Sequence, residues 1–552
     1  MVRLSSTGTA AEAGKASAAR CVLLFLSCTA ICFAHLASAA EAAKALPEKP
    51  NIIVIYGDDV GYGDLNVYGH PTSRTPNLDR MAEEGMRITS FYSAAPVCSP
   101  SRASLMTGRL FPRTGVYSSN NTKSATGSMT FTSSSNTGML LNEITLPQQL
   151  GKCGYVSGMV GKWHLGVTEP YLPINRGFDS YFGCPLTPIG CNSTAYNKSA
   201  TTGSCMLFVN HTITEQPTDI RNIDVRYVEN TLNFISTNQH RPFFFYFSSH
   251  HTHMPQFASD TYLNTTQRGL FGDSLAELDY SVGAILDHVT QLGIANRTLV
   301  IFSADNGPAL ISQQLGGEQG PLKCGKGTTY EGGVREPGIF WWPGVIAAGR
   351  LSYALASTMD IFPTAVSLAG GQLPADRAMD GLDITKLLTG ESAGPRYYNI
   401  YYSGHVLMAV RLHQHKAHFF TMGSHCLPTY PDKDCHNNAS LEYHDPPLLF
   451  DVNQDPKERY PLDTKLHKVP LQKMQALLAE HNKTMTFGPA QCDQGNDPKK
   501  NFPCCSPECT PRPSCCKCPT AKHIPGLHTT ARRSHVAAAA GQDDLDSMRI
   551  LI

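Results

Sequence analysis

Neither sign of charge predominates in this 552-residue sequence, where 45 Lys and Arg face 45 Asp and Glu. A chain with no net charge has no broad field for a polyanion, which excludes nucleic acid as a bulk partner; any anion site has to be local. Beyond the N-terminal region no apolar run is long enough to cross a bilayer, so no transmembrane segment is expected. The glycine-rich stretch Cys324–Gly333 lacks the Walker spacing, which excludes a nucleotide P-loop. His250, His251 and His253 crowd into four residues, but no Cys or His pair stands at zinc-finger spacing from them, which argues against zinc. What the chain does have is length enough for a large core and more than one domain. It also has 21 histidines, which would charge in an acidic compartment.

Residues 1–39 read as a secretory signal peptide. Arg3, Lys15 and Arg20 precede the apolar run Cys21–Leu26, small and apolar residues follow to Leu36, and Ala37-Ser38-Ala39 gives a small-x-small cleavage site. The run is short for a membrane anchor. Eight Asn-x-Ser/Thr sequons, at Asn120, Asn192, Asn197, Asn210, Asn264, Asn296, Asn438 and Asn482, suit that context as glycosylation sites. Three of the 18 cysteines (Cys21, Cys28, Cys32) fall in the signal, and an odd number remains. An odd count in a secreted chain asks for one free or modified thiol.

Along the mature chain, buried-type strands alternate with helices, the mark of an α/β fold with a mostly parallel sheet. Asn51–Tyr56, Tyr155–Val160, Phe243–Phe247 and Thr298–Phe302 read as strands. Helices are expected from Thr75 as cap with Pro76 in the first turn, and over Leu146–Lys152, 223–237 and Asp273–Leu292. Residues 118–140 read as a surface loop and 183–218 as irregular. Each strand ends in polar residues: Asp58-Asp59, Lys162-Trp163-His164, His250–His253 and Asp305-Asn306. Open α/β sheets bind ligands at the carboxyl ends of their strands, so four such ends point to one site. Past about residue 395, Tyr397–Tyr402, Val406–Arg411, Lys416–Met422 and Leu448–Val452 alternate like antiparallel strands and Val469–His481 reads as a helix, which makes a smaller α+β domain. The expected organisation is a catalytic domain over 48–395, a C-terminal domain over 396–520 and a disordered tail over 521–552. The cysteines of 504–518 are expected to form disulfides rather than a zinc knot.

The stretch Cys98-Ser99-Pro100-Ser101-Arg102 opens a helix. Pro100 suits the first turn, the helix N-terminus favours negative charge at Cys98, and one turn brings Arg102 back beside it. Taken alone, Cys98 reads as a buried or disulfide-bonded cysteine followed by an ordinary surface arginine. Asp58, Asp59, Asp305 and Asn306 offer only hard oxygen ligands, which favours Ca²⁺ or Mg²⁺ as a single bound ion.

Taken together, Cys98-x-Pro100-x-Arg102 with Thr107-Gly108, Thr75-Pro76-Asn77-Leu78-Asp79, Gly161–Gly166, His250–His253, Ala304–Pro308 and Cys324–Pro337 resemble the type I sulfatases. The likeness runs from about Asn51 to about Pro519, and the cysteine-rich end is similar to the arylsulfatase A branch. The resemblance implies an alkaline-phosphatase-like fold, a large mixed sheet flanked by helices. It implies hydrolysis of sulfate esters, either aryl sulfates or a galactolipid 3-sulfate such as cerebroside sulfate. It implies that a formylglycine-generating enzyme oxidises Cys98 to an aldehyde whose hydrate attacks sulfur. In that scheme Asp58, Asp59, Cys98, Asp305 and Asn306 hold the metal, and Asp305 helps deprotonate the attacking hydroxyl. Arg102 and Lys162 steady the hydrate, Lys162, Lys326 and His253 bind sulfate, Lys326 and His253 help the leaving oxygen depart, and His164 takes the second hydroxyl's proton. The branch carries a Ser-His pair near the sulfate, where this chain has Gly183-Cys184-Pro185-Leu186-Thr187; Thr187 stands in for the serine and the histidine is absent. The enzyme would work in the lysosome or outside the cell on a sulfated small molecule, glycolipid or sugar, with a homo-oligomer left open. The nearest rival specificity is that of an N-acetylgalactosamine-6-sulfatase. A phosphomonoesterase of the same fold is disfavoured by the Cys98 core, and a binding protein without turnover by the full set of polar positions.

Overall fold

A ten-stranded main sheet and a separate four-stranded sheet organise the chain. In this computed structural model of the protein, residues 46–119, 129–133, 135–189, 191, 205–215, 218–423, 435 and 441–494 are described. The signal segment, Asn120, Asn192, Asn197, Asn438, the cysteines of 504–518 and the tail from 521 lie outside them. At the main sheet's centre are β1 (Asn51–Gly57), β7 (Phe243–Ser248) and β8 (Thr298–Ala304). β1 runs parallel to both neighbours, with Val54 opposite Tyr246 and Ile301. β3 (Val156–Gly161) continues the parallel run beside β7, and β4 (Ser180–Gly183) beside β3.

β1 is buried along its whole length because both faces are covered. Ile52, Val54 and Tyr56 point into a core shared with the Cys98–Thr107 and Ile361–Leu368 helices. Ile53 and Ile55 point into the opposite core, built with the Pro76–Glu84, Ile223–Asn238 and Gly269–Gln291 helices. This two-sided burial is why β1 reads as a continuous apolar run rather than an alternating one.

The sheet is mixed, as the resemblance implies. β9 (Arg335–Trp341) runs antiparallel to both β8 and β2 (Met86–Tyr92), and β10 (Arg350–Ser357) extends the edge parallel to β2. The region read as irregular contains a short hairpin, β5 (Leu207–Val209) and β6 (Thr212–Glu215). The full strand order is β10-β2-β9-β8-β1-β7-β3-β4-β5-β6. The supposed surface loop is not all at the surface: Met129, Thr130 and Phe131 are buried. Thr75 does not cap its helix; its hydroxyl accepts from the Asn66 N–H and bonds to Asp79 instead.

The second sheet, β11 (Tyr398–Ser403), β12 (Val406–Leu412), β13 (His415–Thr421) and β14 (Glu442–Asp451), is antiparallel throughout. The Lys468–Thr484 helix covers one face, burying Met474 and Leu478 against Ile400, Val410, Ala417 and Leu449. Both sheets belong to one compact unit that begins at Glu48. Among the described residues no helix is long and apolar enough to cross a membrane.

Candidate active site

The four strand ends converge. β1 delivers Asp58 and Asp59, β3 delivers Lys162 and His164, β8 delivers Asp305 and Asn306, and the segment after β7 delivers His253. All of these are buried. Their backbones are stitched together: Asp58 N–H donates to the His251 carbonyl (2.8 Å), Asp305 N–H to Gly57 (3.2 Å) and Lys162 N–H to Ser248 (2.9 Å). Gly161 makes the last contact feasible. Its φ is +85°, and a Cβ there would stand 1.9 Å from the Ser248 carbonyl oxygen, so only glycine fits. Asp59 and His164 both sit in the left-handed region, at φ 61° and 58°. Non-glycine residues adopt it rarely, and both lie just past the ends of β1 and β3, where the chain leaves the sheet.

Cys98 opens the Cys98–Thr107 helix, every residue of which is buried. Gly108 ends the helix at φ 65°, its N–H returned to the Ser104 carbonyl, as left-handed helix ends require. Cys98 Sγ lies 3.7 Å from Asp58 Oδ1. Burial, reinforced by Asp305, pushes the thiol up to about 12. The helix terminus therefore does not yield a thiolate: desolvation outweighs the dipole, and an unmodified Cys98 stays a neutral, weakly nucleophilic thiol.

Arg102 is wholly buried and spends its fork inward. Nε and Nη2 donate to Asp305 Oδ2 at 3.0 and 2.7 Å, and Nη1 donates to the Lys162 carbonyl at 3.1 Å and to the Ser248 hydroxyl. Lys162 Nζ donates to Asp58 Oδ2 at 2.6 Å. Lys326 Nζ meets both oxygens of Asp59, at 2.7 and 2.8 Å. Burial raises the Asp59 carboxyl, but Lys326, His253 and Lys162 outweigh it and hold the group well below the usual range. Burial likewise opposes the charge of Lys326, and Asp59 more than restores it. Asp305 is raised by burial against the pull of Arg102.

Atoms able to ligate a metal on Asp58, Asp59, Cys98 and His253 lie within 4.8 Å of one another. Asn306 Nδ2 donates to Asp59 Oδ1 at 2.7 Å, while its Oδ1 is buried with no hydrogen-bond partner. A buried acceptor without a donor is costly, and a cation would satisfy it. The donor set, carboxylates and an amide oxygen with three cationic side chains around them, fits a hard divalent ion.

The histidines divide. His250 bonds to the Leu186 carbonyl (2.8 Å) and stacks on Tyr227. His251 is held by Glu277 (3.2 Å) and Ser274 (2.7 Å). Neither ring is bonded to Asp58, Asp59 or Asp305; His251 meets Glu277 and Asp224 instead. His253 alone reaches them, with Nε2 3.8 Å from Asp59, while Nδ1 is 2.6 Å from the Met254 carbonyl. Burial and Lys326 push it down to about 3. His164 Nε2 lies 2.9 Å from the Phe131 carbonyl and must donate to it, which leaves buried Nδ1 as a free lone pair. Burial, then Lys162 and Arg102, hold that ring neutral. Thr187 is buried on the loop whose Pro185 carbonyl accepts the His164 N–H (2.7 Å).

Phe131, Ser248, Tyr246 and the acids around His251 support the site but carry no signal in the sequence. They act through one carbonyl or one hydroxyl, which any strand or loop residue can supply.

The family profile described as Sulfatase matches residues 50–371, and the C-terminal region of aryl-sulfatase matches 394–518. The chain belongs to the sulfatase family. Arylsulfatase A of Bos taurus is 44% identical over 510 residues, covering 88% of this chain and 98% of that protein. N-acetylgalactosamine-6-sulfatase of Canis lupus familiaris is 41% identical over 482 residues, covering 83% and 91%. A crystal structure of a sulfatase from Pseudoalteromonas sp. superposes with a TM-score of 0.68 at 29% identity, covering 80% of this chain and 92% of that one. This sulfatase is thus a sulfuric ester hydrolase of the arylsulfatase kind.

Proposed function

We propose that the protein hydrolyses aryl sulfates and a galactolipid 3-sulfate of the cerebroside sulfate type, using formylglycine made from Cys98 and one Ca²⁺ or Mg²⁺ ion. The observation that carries this reading is the neutral, buried Cys98 beside Asp58, within reach of Arg102, Lys162 and Lys326. A buried thiol held up in this way is a weak nucleophile, which favours an oxidised side chain at position 98 as the attacking group. Formylglycine supplies a carbonyl whose hydrate offers one hydroxyl to sulfur and a second for expelling sulfate.

The remaining roles belong to side chains already in place. Asp58, Asp59, Asp305 and Asn306, with position 98, are the residues that would hold the metal, which when bound polarises a sulfate oxygen and offsets the acids. Asp305, braced by Arg102, is the acceptor for the first hydroxyl's proton. Arg102 and Lys162 stabilise charge at position 98. Lys326, kept as ammonium by Asp59, and His253 bind the sulfonyl oxygens and serve the departing oxygen. His164 takes the second hydroxyl's proton at Nδ1, the atom its Phe131 contact leaves free. The water-excluded setting strengthens each of these interactions.

A leader at 1–39 and exposed sequon asparagines at 210, 264, 296 and 482 support maturation in the secretory pathway and a lysosomal or extracellular destination. The second specificity, N-acetylgalactosamine-6-sulfate in glycosaminoglycans, is supported by the likeness to that enzyme. Two measurements test the reading. Mass spectrometry of the tryptic peptide bearing position 98, from cells with a secretory pathway, should find a carbonyl in place of the thiol. Sulfate release from galactosyl-3-sulfate ceramide should exceed release from an N-acetylgalactosamine-6-sulfate oligosaccharide; the opposite ranking assigns the second specificity, and an unmodified thiol in active enzyme overturns the mechanism.

A further inference from the structure

All the side chains assigned to the site lie at or before Lys326, yet the loop that carries Lys326 is fastened from the C-terminal region. The loop closes on itself, Gly332 N–H donating to the Lys323 carbonyl at 2.8 Å. It is then pinned from outside. Cys324 is disulfide-bonded to Cys435. Glu331 N–H donates to Glu458 Oε2 at 2.7 Å. Lys416 Nζ, from β13, bridges Glu331 Oε1 at 3.0 Å and Glu458 Oε1 at 3.4 Å. His418 Nε2, two residues along the same strand, lies 2.6 Å from Glu458 Oε1. Glu331, Lys416, His418 and Glu458 are all buried. On its other side the loop has Lys326 N–H on the Pro308 carbonyl (2.9 Å) and Gly327 N–H on Pro96 (2.8 Å), which leads into the Cys98 helix.

Resting on the site reading above, we propose that Glu458, Lys416 and His418 are positioning residues for Lys326: the C-terminal sheet sets where its ammonium meets the sulfate. A buried charge network is costly to assemble and is not by itself a source of stability. It does fix one geometry, because each member is satisfied only when all are in place. Here the geometry it fixes is that of a loop whose one cation enters the acid cup.

The test is a double-mutant cycle between Glu458→Ala and Lys326→Ala, read with 4-nitrophenyl sulfate and normalised to formylglycine content. Glu458→Ala alone should raise KM about tenfold and also lower kcat, because Lys326 is assigned both to the sulfonyl oxygens and to the departing oxygen. In the Lys326→Ala background the same change should leave KM where Lys326→Ala put it, because both act through one contact. Glu458→Asp, which keeps two acceptor oxygens for the Glu331 N–H and for Lys416 and His418, should raise KM less than Glu458→Ala does. If Glu458→Ala does not accumulate as folded protein, His418→Ala, which removes the contact to Glu458, enters the same cycle. An unchanged KM, or an equal KM rise in both backgrounds, overturns the proposal while leaving the site reading intact. Lys326→Ala with wild-type kinetics would overturn the site reading itself.

Discussion

Arg102→Met isolates the brace behind the candidate base. The guanidinium makes two contacts to Asp305 Oδ2 and others to the Lys162 carbonyl, Tyr246 and Ser248, all out of water. Methionine fills much of the space but satisfies none of these groups. Breaking one side of a buried pair costs about 3–5 kcal/mol, because the surviving charge is left uncompensated. Asp305 is already raised by burial, and Arg102 is the chief influence pulling it down. Without Arg102 the carboxyl moves further up and is protonated across more of the working range, so it no longer accepts a proton. Removing one preorganised charge-stabilising donor costs about 3–4 kcal/mol in the transition state, or roughly a hundred- to a thousandfold in turnover. The assay is release of 4-nitrophenol from its sulfate ester at several pH values, divided by the fraction of chains carrying formylglycine, because Arg102 lies one helical turn from the residue proposed to be modified. Urea unfolding of the same preparations gives the stability change. Turnover per modified chain within about tenfold of wild type, with the acid limb of the pH profile unmoved, would refute the assignment of Arg102 and Asp305 as a working pair.

Cys98→Ser should bind a sulfate ester and become sulfated on the introduced hydroxyl without repeated turnover, since a serine side chain has no second hydroxyl for the elimination; intact-mass analysis after incubation checks this, and multiple turnovers would contradict it. Chelation of divalent ions should abolish sulfate release, with recovery on adding Ca²⁺ or Mg²⁺; full activity after exhaustive chelation would remove the metal from the mechanism. Asp224 is fully buried, and burial raises it to about 6. A carboxyl raised in the folded state contributes stability that is fully present below its unfolded value and lost as pH rises through the folded one. Asp224→Asn should therefore be more stable than wild type at pH 7, with the difference vanishing between about pH 6 and pH 4. Urea midpoints at the two ends measure it, and a pH-independent difference would rule out the buried-acid explanation.

The strands with both faces covered were legible because burial on two sides leaves an unbroken apolar run, as in Asn51–Gly57 and Phe243–Ser248. β2, β9 and β10 were not, since their compositions mix charged, polar and apolar residues (Arg87, Thr89 and Ser90 in β2, for instance) and their pairing is set by distant partners. β9 and β5 run against their neighbours and give the sheet the mixed character that the resemblance implies. The polar residues at the strand ends could be named from sequence because each follows a recognisable strand. Their grouping is a property of the folded sheet, and their roles rest on the chemistry proposed above. Of the three clustered histidines only His253 reaches the acids, a distinction that depends on Glu277 and Tyr227 arriving from other helices. Sequence spacing cannot show this.

The helix that begins at Cys98 has solvent on no side, and its first residue lies at the bottom of the cup rather than on its rim. A large modifying enzyme has no route to a thiol enclosed in this way. The conversion proposed above therefore belongs to the nascent or still-opened polypeptide, before the thiol is enclosed.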